Sequence, residues 1–164
     1  MVKWFDRIFR KDQQSLTGEL RSALDEALRE VDINNPEVRL GFAAIEVLKP
    51  QFELLGNREG KFPVRLPYTA DSARGALLGT ALAIAMQEYD SLPNEIAIDA
   101  MIAAFSYAFG EENGKVMAFK AFEESRSGNE AINKAADFAI GDTKIALANG
   151  ATPAAFFHAA QGAL

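Results

Sequence analysis

Apolar residues recur along most of this chain at spacings of three and four, the period of a helix with one face against a core. Residues 2–11 set Trp4, Phe5, Ile8 and Phe9 on one side and Lys3, Arg7, Arg10 and Lys11 on the other. From a cap near Ser15, Leu16, Leu20, Leu24, Ala27 and Val31 form a second stripe. Asn35-Pro36 opens a third helix with a cap followed by proline in the first turn. Its stripe is Val38, Phe42, Ile45, Leu48, Phe52 and Leu55, and Gly56 closes it. Pro50 removes an internal hydrogen bond, so a kink or break is expected there.

Residues 56–68 form the one long connection. Phe62, Val64 and Leu66 alternate within it at period two, which predicts a short extended segment or a loop pinned by three apolar anchors. Thr69 or Asp71 then opens a helix to about Asp90, apolar on every side from Ala76 to Met86 except at Thr80. Such a helix belongs in the middle of a fold. Ser91-Leu92-Pro93 turns a corner, and Pro93 starts a helix to Phe109 that is nearly as apolar. Helices over 112–126 and 129–148 follow, then a short one started by Thr152-Pro153.

Gly75 and Gly79, with Ala83 following, form a row of small residues that lets a neighbouring helix come close. Gly141 offers the same opportunity later in the chain. The expected fold is all-α. It is a single-domain bundle of about seven to eight helices around a central apolar hairpin, with residues 1–12 an amphipathic N-terminal segment and 13–164 the helical domain.

Composition agrees with this reading. A chain of 164 residues with 49% hydrophobic and 24% charged residues is ordinary for a folded protein. There is no cysteine, which excludes disulfides, thiolate nucleophiles and iron–sulfur ligation and suits a reducing compartment. No secretory leader is visible at the start, and the longest apolar run, 75–86, is far short of the roughly 20 residues that span a bilayer. The expected location is cytoplasmic, with peripheral membrane contact as an option.

Charge changes the picture more. The net charge is −6, and the whole excess lies beyond Arg65, because the chain up to that point balances. Between Gly75 and Gly114 there is no Lys, Arg or His, but there are Glu88, Asp90, Glu95, Asp99, Glu111 and Glu112. Such a surface repels phosphate backbones, so nucleic acid is not expected as a partner. Glu88 and Asp90 sit where the helix dipole disfavours negative charge, and Glu95 and Asp99 repel weakly one turn apart. Against a merely solvated face, this uncompensated corner predicts a docking surface for a basic protein partner. A divalent-cation site fits less well, since residues 90–95 lack calcium-loop spacing.

Catalytic signals are sparse. The only histidine, His158, cannot build a multi-histidine metal site, and neither a Gly-x-Ser-x-Gly elbow nor a phosphate-binding loop is present. No metal or cofactor is expected. Asp99 stands in an otherwise apolar helix and, if buried, needs a partner such as Arg74 or Tyr107. The leading expectation is a non-catalytic interaction module (inhibitor, adaptor or antitoxin-like) that binds a basic protein through its acidic surface, with homo-oligomers compatible. One alternative is a small-molecule-binding or enzymatic domain with Arg74, Asp99, Tyr107 and His158 around a cleft beside the hairpin. Another is a peripheral membrane protein using Trp4, Phe5, Ile8 and Phe9 as a weak interfacial anchor. The basic stretch Arg58, Lys61 and Arg65 is read as a packed loop or as a contact for an anionic ligand or for the acidic corner of another copy.

Overall fold

The computed structural model describes residues 35–57, 62–89 and 91–164. The expected helices over 2–11 and 15–31 lie outside these residues. Among the described residues all regular structure is helical, in six helices: α1 (Pro36–Leu54), α2 (Asp71–Glu88), α3 (Asn94–Phe109), α4 (Glu111–Arg126), α5 (Glu130–Asn149) and α6 (Ala155–Ala160).

Local chemistry sets most of these boundaries. Asn35 caps α1 by accepting from the Glu37 N–H at 2.9 Å, and Pro36 fills the first position. Asn129 caps α5 in the same way, accepting from Ala131 and Ile132 at 3.1 and 3.2 Å. Gly150 ends α5 in the left-handed region, where a side chain would be strained. α1 continues through Pro50 without breaking, which leaves a kink as the form the proline's missing hydrogen bond takes under the expectation.

α2 is the hub. From Ala73 to Ala81 every residue is buried, and α1, α3, α4, α5 and α6 all pack on it. The expected hairpin of α2 with α3 forms, but only α2 is enclosed on all sides. One flank of α3 (Ile98, Ile102, Tyr107) is only partly buried. The closest companion of α2 is α5. A methyl built on Gly75 would lie 2.9 Å from the Ala135 Cβ, and one on Gly79 would lie 2.8 Å from the Ala136 carbonyl carbon. The register advances on both helices together, so they run in the same general direction. Gly114 lets α4 approach Ser106 of α3 just as closely. At Gly141, by contrast, an added Cβ meets nothing within 4 Å, so that glycine does not serve the close contact expected of it.

A single buried cluster draws on all six helices. Its aromatic centre is Phe52, against which Phe62, Tyr107 and Phe156 pack with ring centroids 4.6, 5.2 and 5.1 Å away. Of the three expected loop anchors only Phe62 is buried. Val64 and Leu66 are 52% and 71% exposed.

The glycines give an internally controlled test. Gly79→Ala should lower unfolding free energy by about 2–3 kcal/mol, because backbone rather than a flexible side chain occupies the space. Gly141→Ala should raise it by about 0.5–1 kcal/mol through helix propensity alone. Urea titrations of the two variants beside the parent check both signs.

Candidate functional site

Helix geometry divides the acidic candidates on described elements between two places. Glu95 lies exposed in the first turn of α3, and Asp99 follows one turn on, half-buried. Glu88 is the last residue of α2, at the same end, while Asp90 lies outside the described residues. Glu111 and Glu112 sit exposed in the first turn of α4, beyond the other end of α3. A helix of 16 residues is about 24 Å long. The described candidates therefore do not form one patch. Glu111 and Glu112 also suit the dipole of the helix they start.

At the Glu95–Asp99 end the fold adds a carboxylate that local sequence did not connect. Burial pushes the Asp99 carboxyl above its ordinary value, and Glu37 of α1 and Glu95 push it further. Neither expected partner reaches Asp99. Arg74 is engaged elsewhere, and Tyr107 stacks on Phe52 at an interplanar angle of 8°. No ion pair holds Glu95 or Asp99 among the described residues. Among the described residues a cation also stands beside the end of α2. Arg39 of α1 donates from Nη2 to the Tyr89 hydroxyl at 3.5 Å.

The other expected set does not assemble. Arg74, only 7% exposed, binds Glu124 through Nη1 and Asp71 Oδ1 through Nη2 at 2.5 Å. Asn129 donates to the second Asp71 oxygen at 2.8 Å while capping α5. This junction ties the start of α2 to the end of α4 and the start of α5. Hydrogen bonds from Asn129 and Arg74 hold the Asp71 carboxyl below its usual value. Burial raises the Tyr107 phenol above its usual value, with Glu53 and Glu46 adding to the effect. His158 is exposed on α6, its ring edge-on to Phe157. Asp99 and Tyr107 stand two turns apart on α3, and no hydrogen bond or ion pair among the described residues joins any two of the four.

A cleft of about 450 Å³ opens at the start of α2 and α5 instead. Its floor is apolar (Ala131, Ala135, Phe138 and Leu164), and Ser72, Glu130 and Lys134 edge it. No set of three or more metal-ligating side chains converges among the described residues, and no helix there is long and apolar enough to cross a membrane. Trp4, Phe5, Ile8, Phe9, Arg58 and Lys61 lie outside the described residues, and Arg65 is exposed.

Two buried or half-buried polar residues carry contacts that local sequence does not announce. Gln51 Oε1 accepts from the Phe156 and Phe157 N–H groups at 2.9 and 3.3 Å, and its amide donates to the Val47 carbonyl at 3.1 Å. Asp142 Oδ2 accepts from Ala154 and Ala155 at 2.7 and 2.9 Å. Together they satisfy the free donors at the start of α6. The available signal was a glutamine adjoining the Leu48–Phe52 stripe, but its partner lies 105 residues away.

No protein-family model, curated protein or solved structure matches the chain.

Asp71 and Asp99 should respond to acid with opposite signs. The lowered pKa of Asp71 contributes stability above the unfolded value near 3.8 and loses it as pH falls through the folded value. Asp71→Asn should thus cost about 1 kcal/mol at neutral pH, the half-exposed position reducing the effect, with the difference closing in acid. The charged form of Asp99 is the disfavoured one. Asp99→Asn should therefore gain about a few tenths of a kcal/mol at neutral pH, and that gain should vanish once the parent carboxyl is protonated. Thermal unfolding from about pH 3 to 7 resolves the two.

Proposed function

We propose that this chain is a non-catalytic helical interaction module, of the inhibitor, adaptor or antitoxin kind, that presents its acidic end to a basic protein partner. One observation carries the reading. The charged groups that act on half-buried Asp99 are both carboxylates, one from α1 and one from α3. Like charges gathered by the fold repel one another, and a cationic side chain docked among them relieves that repulsion.

The face so defined is Glu37, Glu95 and Asp99 on described elements, with Glu88 and Asp90 joining it from the corner in sequence. Opposite charge across such an interface speeds encounter and selects partners more than it adds affinity, so the interaction is salt-sensitive.

A triple variant combining Glu88→Lys, Asp90→Lys and Glu95→Lys should keep the helical circular dichroism of the parent. It should also abolish salt-sensitive capture of basic proteins from the native host. Recovery of the same proteins by the triple variant and the parent, at low and moderate salt alike, removes the proposal.

A further inference from the structure

The loop leading into α2 is held at its base and apolar at its tip. The Phe62 N–H donates to the Ala108 carbonyl at 2.6 Å, and the Phe62 ring lies 4.3 Å from that of Tyr68. Between these anchors the chain turns twice, Arg65 N–H donating to Pro63 O at 2.7 Å and Tyr68 N–H to Arg65 O at 3.1 Å. Pro63 and Pro67 restrict the backbone on either side. Val64 and Leu66 are left facing solvent with Arg65 between them. A loop ordered this way loses little freedom on docking, which is when exposed aliphatic side chains contribute most to binding.

The chain also carries a receptacle of matching character. The cleft at the start of α2 and α5 has an apolar floor, with Phe138 46% exposed, and a volume within the range of ligand sites. At its edge Glu130 pairs with Lys134, 3.7 Å away, and both side chains are more than four-fifths exposed. Such a pair exchanges readily for a better cation.

We propose that two copies of this chain associate by inserting the Val64–Leu66 tip of each into the α2/α5 cleft of the other, with Arg65 meeting the partner's Glu130. Loop and cleft flank the same helix start, since Pro67 and Ser72 are close in sequence. A two-fold arrangement therefore fills both clefts at once and closes the assembly at a dimer. The charge at the tip is Arg65, and Glu130 at the edge of the cleft is the opposite charge that meets it.

The test is the mass of the full chain by light scattering after size exclusion, over a concentration series from micromolar to millimolar. The parent should rise from its monomer mass of 17.8 kDa to twice that value. Arg65→Glu and Glu130→Arg each set two like-charge contacts in the dimer, so each alone should dimerise at least about tenfold more weakly. An equimolar mixture of those two variants should recover the parent's dimer. In the mixed dimer one contact carries the same two charges exchanged between the copies, and the other is the native pair of Arg65 with Glu130. Leu66→Ser should weaken dimers in every combination. All three substitutions are at exposed or rim positions, and circular dichroism confirms that folding is retained. A parent that stays monomeric throughout overturns the proposal. So does a dimer indifferent to the single variants, or a mixture that fails to recover it.

Discussion

Close approach of two backbones, α2 against α5, is the constraint on which the remaining packing depends. Gly75 and Gly79 carry no Cβ, so the helices meet nearer than side chains would allow, and α2 becomes enclosed on all sides. A helix so enclosed must find apolar neighbours around its whole circumference. That requirement brings α1, α3, α4 and α6 onto it and draws the aromatic group around Phe52 into one core.

The buried Gln51 and Arg74 both join helix ends. Arg74 with Asp71, Glu124 and Asn129 fastens three termini at one end of α2. Gln51 and Asp142 supply the acceptors that the start of α6 cannot provide for itself. A six-residue helix has little stability of its own. Here it is held by two side chains from other helices and by Phe156, which packs against both Phe52 and Phe62.

The two ends of the bundle consequently differ in character. Carboxylates of α1 and α3 gather near the α2–α3 corner, whereas the opposite end carries an aliphatic loop and an apolar cleft. A dimer formed at the second end leaves both acidic faces free and directed away from the contact.

The six helices among the described residues were legible in the sequence, most limits to within a residue or two, because helices are local. The cap at Asn35 and the prolines at 36 and 93 act within one turn of where they stand. The glycine row on α2 was legible too, but the helix it admits was not, since α5 begins far along the chain, at Glu130. Similar separations hid Glu37 beside Asp99, Glu124 on Arg74 and the Gln51 cap of α6. They also misled on Gly141, which faces open space, and on Val64 and Leu66, whose period-two spacing suggested anchors where turns expose them. Sequence periodicity tells which face of an element is apolar. Which element covers that face, and which charges meet across the gap, follows from packing energy summed over the whole chain, and this the tertiary structure alone decided.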